Sequence, residues 1–227
     1  MREIVLDTET TGLDPATGDR IVEIGAVELL NHMPTGEVYH QYINPERDMP
    51  AGAFAVHGLS SEFLSDKPVF ADIAQKFLDF IKDSKLVIHN AAFDMKFLNT
   101  ELEACRQPKI PMAQALDTLA IARKKYAGAQ NSLDALCRRF GIDNTNRTLH
   151  GALLDSEILA EVYLELIGGR QPDFALKVVQ NTGSTSPSGD YTPPTRPKPL
   201  PNRITKDETA AHLEFIKDLG GDTLWKI

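Results

Sequence analysis

The sequence predicts an α/β fold in which a mixed sheet, an antiparallel meander followed by parallel strands, is flanked by helices and carries a flexible C-terminal extension. Three early apolar runs are separated by turns that contain Gly and Pro, which is typical of an antiparallel meander. Further along, short apolar runs alternate with stretches of helical periodicity, which indicates helical crossovers to added strands. No internal repeat is apparent.

The meander is predicted to contain strands at 3–8, 20–29 and 37–43. A loop that carries His57 then leads to a helix start at Ser60 or Ser61. The remaining elements are a helix at 70–83, a strand at 86–89, a helix at 93–105, a strand at 115–118 and helices at 119–126, 131–140 and 152–167. A chain of 227 residues therefore predicts one sizeable domain, residues 1–170, with an extension.

The composition favours a cytoplasmic protein. Charge follows quickly after Met1, which argues against a secretory signal, and no apolar run is long enough to span a bilayer, so no membrane association is expected. Cys105 and Cys137 lack the spacing of a zinc or redox site. Their apolar neighbours in helical segments predict that both are buried and reduced.

The charge of the chain is acidic, with a formal net charge of -8. Residues 1–170 hold 25 acids and 17 bases, whereas residues 171–227 hold 7 of each. Affinity for nucleic acid usually comes from Lys and Arg side chains that neutralise phosphates. The domain alone should therefore bind nucleic acid weakly and would benefit from a tether.

Asp7 and Glu9 end the first apolar strand. Because side chains alternate across a strand, the two carboxylates project from one face while Thr8 points away. Hard cations such as Mg²⁺ and Mn²⁺ prefer oxygen ligands, and two-metal phosphoryl-transfer sites gather carboxylates around ions about 3.5 to 4 Å apart. The pair is a candidate metal site, although alone it also fits a strand that turns polar at its exit.

Two further segments carry candidate residues. Asp94 lies in the first turn of a predicted helix, where an ordinary capping role also suits a carboxylate. His150 precedes the last helix of the domain and Asp155 lies on that helix; a structural histidine and a solvated acid are the ordinary alternatives. Together with the first cluster, these residues supply four carboxylates and one histidine, a set that can hold two divalent metals.

The three motifs, in this order, resemble those of the DEDD superfamily of 3′-to-5′ exonucleases, in its histidine-containing branch, over residues 2–168. The motifs correspond to residues 7–9, 90–94 and 150–155, with the histidine five residues before the final acid. The resemblance implies a ribonuclease-H-like fold and release of nucleoside 5′-monophosphates. It also implies His150 as general base and two divalent ions, Mg²⁺ or Mn²⁺, at four acids: Asp7, Glu9, Asp94 and Asp155.

The resemblance further implies contacts to the terminal nucleotide by Thr10, Val56, His57, Asn90 and Phe93. Phe93 also fits a core position of its helix. Stacking side chains favour unpaired strands over duplex. The expected substrate is therefore a single-stranded or frayed 3′ end of DNA, and the expected activity is proofreading for a bacterial replicative DNA polymerase.

The C-terminal quarter is predicted to tether the domain. Residues 177–206 are rich in Pro, Ser and Thr and bury too little apolar surface to offset ordering entropy, so they form a flexible linker. Residues 207–227 form a docking segment with Leu224 and Trp225 near its apolar tip. The resemblance implies that this end binds the catalytic (alpha) subunit of the polymerase; a tail folded back on its own domain is the alternative.

Residues 171–176 resemble a motif that binds the bacterial sliding clamp (beta), through Gln171, Phe174 and Leu176. The pattern is short, and Phe174 also fits a cap on the exonuclease core. A small theta-like accessory subunit is a further partner that the resemblance suggests. Two alternatives stay open at this stage: an RNase of the same branch, and a polymerase scaffold without exonuclease activity.

Overall fold

The computed structural model describes residues 1–145, 149–168 and 204–218. The chain divides into two units, Met1–Leu176 and Lys177–Ile227. Within the described ranges, no helix has both the length and the apolar composition needed to cross a membrane.

The first unit contains five strands and seven α-helices among its described residues. The strands are β1 (Arg2–Thr10), β2 (Ile21–Leu30), β3 (Met33–Tyr42), β4 (Lys85–Ile88) and β5 (Ala115–Asp117). The helices are α1 (Ala51–His57), α2 (Ser61–Leu64), α3 (Phe70–Ile81), α4 (Ala91–Ala104), α5 (Thr118–Lys125), α6 (Leu133–Phe140) and α7 (Ala152–Leu166), with short 3₁₀ helices at Pro15–Thr17 and Met112–Gln114.

The sheet has the strand order β3-β2-β1-β4-β5. Strands β1, β2 and β3 pair in antiparallel fashion, whereas β4 pairs in parallel with β1 and β5 in parallel with β4. The mixed sheet predicted from the sequence is therefore confirmed. The C-terminal ends of the parallel strands β1 and β4 lie at the same end of the sheet. Asp7 and Glu9 belong to this C-terminal part of β1.

Two apolar cores cover the two faces of the sheet. Ile4 and Leu6 of β1 belong to a core with buried side chains of α3 and α4. Val5, which points to the opposite face, belongs to a core with side chains of α6 and α7. Helices α4 and α7, which carry Asp94 and Asp155, therefore lie on opposite faces of the sheet.

Helix α7 approaches the sheet most closely at Gly25 of β2. A Cβ atom at Gly25 would lie 2.2 Å from the backbone carbon of Ala152 and from the backbone nitrogen of Leu153. The Ser156 hydroxyl donates a hydrogen bond of 2.9 Å to the Gly25 carbonyl. Gly25 is also the antiparallel partner of Asp7. Its missing side chain thus allows the first turn of α7 to lie directly beside the acidic end of β1.

A buried ion pair connects α4 to the start of β2. The Glu101 carboxylate is 3% exposed and accepts hydrogen bonds from Arg20 Nε and Nη2 at 2.7 and 2.9 Å. It also accepts a 3.3 Å hydrogen bond from the backbone nitrogen of Ile21. A forked pair of this kind fixes the geometry of both partners, and it holds α4 in register with the sheet.

Several local predictions need correction. The sequence predicts a loop at His57, but His57 ends helix α1, whose C-terminus is closed by Gly58 at φ 72°. Helix α4 begins at Ala91, two residues earlier than expected, because Asn90 takes a left-handed conformation at φ 70°. Cys137 is buried as predicted, whereas Cys105 is only half-buried; both are free thiols.

In the second unit, the described residues form one helix, α8 (Lys206–Asp218). A reciprocal capping box starts it: the Glu208 backbone nitrogen donates to the Thr205 hydroxyl at 3.2 Å, and the Thr205 backbone nitrogen donates to the Glu208 carboxylate at 2.8 Å. The predicted clamp contacts Gln171, Phe174 and Leu176 and the predicted polymerase contacts Leu224 and Trp225 lie outside the described residues.

Candidate active site

A cavity of about 270 Å³ opens at the C-terminal end of β1. Residues from β1, α4 and the start of α7 line it, although these segments are far apart in the sequence. All five residues singled out from the three motifs line this one cavity: Asp7, Glu9, Asp94, His150 and Asp155. The structure thus brings the whole predicted set together.

The alternation of β1 divides these residues between the two faces of the sheet. Asp7 and Glu9 share the face of Val5, against which α7 packs. Thr8 points to the other face, where its hydroxyl donates a 2.8 Å hydrogen bond to Asp94 Oδ1 on α4. Asp94 therefore approaches the cavity from the face opposite to α7, and Thr8 fixes its position.

Three of the five residues can supply ligand atoms to a single cation. One side-chain ligand atom each of Glu9, His150 and Asp155 lies within 4.8 Å of the others. Both carboxylates of this group are buried. Oxygen ligands suit Mg²⁺ and Mn²⁺, and the further acids Asp7 and Asp94 line the same cavity. The donor set therefore fits divalent ions, as the resemblance to the DEDD exonucleases implies.

Asp94 has an unusual protonation equilibrium. Its side chain is 3% exposed, and burial raises its pKa to about 7, although the hydrogen bond from Thr8 opposes this rise. A buried carboxyl group without a nearby cation favours the protonated form. A divalent ion in the cavity would favour the charged form, so metal binding at this position is expected to release a proton.

His150 lies just before α7, whose N-terminal cap is Gly151. The side chain is 47% exposed, and its Nδ1 atom lies 3.3 Å from Asp155 Oδ2. The backbone nitrogen of His150 donates a 3.1 Å hydrogen bond to the Val56 carbonyl, which connects this segment to α1. The ring therefore sits at the solvent-facing side of the acidic cavity, with Nδ1 directed at Asp155.

A second cavity, of about 490 Å³, adjoins the first and shares Thr8, Glu9 and Phe93 with it. We call it the apolar pocket. Four of the five predicted nucleotide contacts line it: Thr10, Val56, His57 and Phe93. Its wall is mostly apolar, which suits a base and a sugar.

Two aromatic rings in the apolar pocket are held by neighbouring groups. His57 is buried, and its Nδ1 atom accepts a 3.0 Å hydrogen bond from the Leu59 backbone nitrogen. Burial lowers the pKa of His57, so its ring is neutral near pH 7. Phe93 is half-buried, with its ring centroid 5.0 Å from that of Phe97. Phe93 thus packs against the core and lines both cavities.

The fifth predicted nucleotide contact, Asn90, lies elsewhere. It lines a third cavity, of about 720 Å³, together with Arg123 and the segment from Ala127 to Ser132. The active-site cavity also contains residues that sequence reasoning did not single out: Thr8, His89, Ser132, Leu133 and Asp134. The alternation of β1 pointed Thr8 away from the acids, and residues 132–134 carried no signal beyond a helix start.

The family model described as Exonuclease matches residues 4–163 of this chain. The DNA polymerase III subunit epsilon of Rickettsia felis is 51% identical over 224 residues, which cover 96% of this chain and 97% of the relative. The DNA polymerase III subunit epsilon of Escherichia coli is 44% identical over 237 residues, which cover 99% of this chain and 97% of the relative.

Two solved structures illustrate the likeness in fold. Exonuclease X in complex with 5′-overhanging duplex DNA is 26% identical with a TM-score of 0.59, over 74% of this chain and 92% of that chain. The nuclease domain of 3′hExo, a DEDDh family member bound to rAMP, is 20% identical with a TM-score of 0.64, over 74% and 92% of the two chains. At this identity, the second likeness concerns the fold alone.

Proposed function

The chain belongs to the DEDD family of 3′-to-5′ exonucleases, in the branch of the DNA polymerase III epsilon subunits, and we propose that it proofreads by two-metal-ion hydrolysis with His150 as the general base. The exonuclease activity, directed at mispaired 3′-terminal nucleotides, follows from the family. The two-ion count and the role of each residue are the proposed part. The observation that carries them is the convergence of five motif residues on one cavity.

Asp7, Glu9, Asp94 and Asp155 would hold the two ions, which we assign as Mg²⁺ or Mn²⁺. When bound, the ions would neutralise phosphate oxygens and lower the barrier to formation of hydroxide from water. The close approach of Glu9 and Asp155 supports a shared ion between them. Asp94, which reaches the cavity from the opposite face, would complete the second position directly or through water.

His150 would take the proton from the attacking water. An imidazole ring can accept a proton near neutral pH, as a general base requires. Because Nδ1 is directed at Asp155, we assign Nε2 as the atom that accepts the proton. The water oxygen then forms a bond to phosphorus while the bond to the 3′-oxygen of the upstream nucleotide breaks. That oxygen takes up a proton from solvent water, and the product is a nucleoside 5′-monophosphate.

The apolar pocket would hold the terminal nucleoside through Thr10, Val56, His57 and Phe93. A nucleotide that enters this pocket must leave its template partner. The free energy needed to unpair it is smallest when it is mismatched. The pocket therefore gives a physical reason for preferring a mispaired end, without any need to recognise the mismatch itself.

The assembly is the second part of the proposal. The relatives are epsilon subunits of DNA polymerase III, which supports association with the core of that polymerase. We further propose that residues 207–227 dock on the alpha catalytic subunit, that residues 171–176 contact the sliding clamp and that a theta-like subunit is a third partner. The excess of acids over bases in residues 1–170 supports a tethered mode of action.

The test is digestion of a labelled primer on a template, in the presence of Mg²⁺ or Mn²⁺. Three primers are compared: one with a mismatched 3′ end, one matched, and one with a 3′-terminal ribonucleotide tract. We expect faster release of 5′-monophosphates from the mismatched DNA end and no release after chelation of the metal. Equal rates on all three primers, or a preference for RNA, would argue against proofreading.

The metal assignment has its own control. Asp155→Asn removes a buried carboxylate of the acidic cavity. Asp66→Asn removes an exposed carboxylate whose Oδ1 atom lies 2.8 Å from Lys67 Nζ. The first variant should lose activity and metal affinity, and the second should retain both. Retained metal affinity in Asp155→Asn would contradict the assignment.

A further inference from the structure

The third cavity adjoins the active-site cavity on the side of β4. The two cavities share His89 and Ser132, so they form a continuous depression. We call this third cavity the arginine cleft, because Arg123 is the one cationic side chain among the described residues that line it. No carboxylate lines the arginine cleft within the described part of the chain, in contrast to the acidic cavity beside it.

The three cavities follow one another around the active site. The apolar pocket shares Thr8, Glu9 and Phe93 with the active-site cavity, whereas the arginine cleft shares a different pair, His89 and Ser132. The apolar pocket and the arginine cleft have no lining residue in common. A strand with its terminal nucleoside in the apolar pocket and its scissile phosphate at the acids can therefore continue into the arginine cleft.

Arg123 is suited to bind a phosphate. It lies in the last turn of α5 and is exposed. Among the described residues, no carboxylate forms an ion pair with its guanidinium, unlike Arg20 or Arg47. The nearby Asp117 carboxylate accepts hydrogen bonds from the backbone nitrogens of Asn90 and Leu119, at 3.2 and 2.9 Å. A guanidinium that forms no ion pair with these carboxylates is available to bind a phosphate of a nucleic-acid backbone.

The opposite wall of the arginine cleft is held by hydrogen bonds. Asn131 Nδ2 donates to the carbonyls of Tyr126 and Ala129, at 3.3 and 3.0 Å. Arg139 Nη2 donates to the Gln130 carbonyl at 3.1 Å, and its guanidinium lies 4.4 Å from the centroid of the Tyr126 ring. These contacts support the backbone of segment 126–131, which forms this wall of the cleft.

We propose that the arginine cleft is the subsite for the strand immediately upstream of the scissile bond, and that Arg123 binds the 5′-phosphate of the penultimate nucleotide. This proposal rests on the proposed function, because the acidic cavity defines where the scissile phosphate lies. It gives Asn90 a place in this upstream subsite rather than beside the terminal nucleotide. It also gives the acidic domain a local cation where the strand needs one.

The test uses two substrates that differ by one phosphate: the dinucleotide dTpdT and its 5′-phosphorylated form pdTpdT. Both contain the same scissile bond, and only the second contains the phosphate that Arg123 is proposed to bind. In the wild-type chain we expect KM to be about tenfold lower for pdTpdT, the effect of one charge-assisted hydrogen bond in a partly exposed site. Arg123→Ala should abolish this difference, because KM for pdTpdT rises to the value for dTpdT.

Two further variants test whether any positive charge near Arg123 suffices and whether the strand leaves the active site through another cavity. Lys124→Ala removes a positive charge from the neighbouring position, which does not line the cleft, so it should retain most of the preference for pdTpdT. Arg138→Ala tests the alternative exit, a cavity of about 520 Å³ that shares Asp134 and His150 with the active-site cavity. With a longer single strand, the dependence of KM on salt should be shallower in Arg123→Ala, by about 0.7 in the logarithmic slope.

The outcomes are distinct. A full preference for pdTpdT in Arg123→Ala, or its loss in Arg138→Ala instead, would overturn the upstream subsite while leaving the nuclease assignment intact. Failure of the wild-type chain to hydrolyse either dinucleotide or a longer single strand would instead overturn the proposed function.

Discussion

Gly25→Ala is expected to damage catalysis although Gly25 touches no substrate. The added Cβ would lie 2.2 Å from backbone atoms of Ala152 and Leu153, and ordinary Cβ contacts begin at 3.4 Å. The first turn of α7 must therefore move away from β2 by about 1.2 Å, the difference between these two distances. The atoms that move are backbone, so no side-chain rotation can absorb the clash. Asp155 lies on that turn and His150 directly precedes it.

The magnitude follows from the displacement. A misplacement of about 1 Å at a catalytic group can lower the rate by a factor on the order of 10². Overpacking of this kind costs about 1 to 3 kcal/mol of stability, which leaves a domain of this size folded at 25 °C. We therefore expect kcat on a single-stranded oligonucleotide to fall about 100-fold while the circular dichroism spectrum stays that of the wild type.

Gly151→Ala is the matched control. A Cβ at Gly151 would meet no atom within 4 Å, and Gly151 also lies at the start of α7. It should retain kcat within about threefold, because an added methyl group in open space causes no displacement. If Gly25→Ala retained wild-type kcat, the close approach of α7 to β2 would not be what positions His150 and Asp155.

Three other predictions concern single side chains. His150→Ala should lower kcat by a factor on the order of 10² or more while Mn²⁺ affinity, measured by calorimetry, changes little; a large loss of affinity would instead make His150 a ligand. Because burial raises the pKa of Asp94 to about 7, the folded state binds a proton more tightly than the unfolded state, and stability falls as pH rises from about 4 to 7. In the presence of a chelator, urea denaturation at pH 8 should therefore show Asp94→Asn more stable than the wild type by up to about 4 kcal/mol, with no such gain at pH 4. Glu101→Ala should cost about 3 kcal/mol in the same assay, because it leaves Arg20 beside a buried site without its partner, whereas Glu103→Ala, at an exposed pair with Lys109, should cost less than about 1 kcal/mol.

The strands and long helices could be predicted because their signals are local. The apolar alternation of β1 and the helical spacing of α3, α4 and α7 are properties of a few consecutive residues. Helix α1 was missed because its seven residues, Ala51–His57, contain Gly52, follow Pro50 and have little apolar periodicity. Its position depends on contacts such as that of Val56 with His150, which no local pattern contains.

The sequence by itself determined the mixed sheet, the family and the five motif residues, because residue type and order within short segments carry that information. Only the tertiary structure decided that α4 and α7 pack on opposite faces of β1, so that Asp94 meets Thr8 while Glu9 meets His150 and Asp155. It also decided that Asn90 and Arg123 line the same cleft beside the active-site cavity. The physical reason is that the neighbours of a side chain across a sheet or a cavity come from distant segments of the chain. Packing sets how closely these segments approach one another, as at Gly25, and local propensity does not.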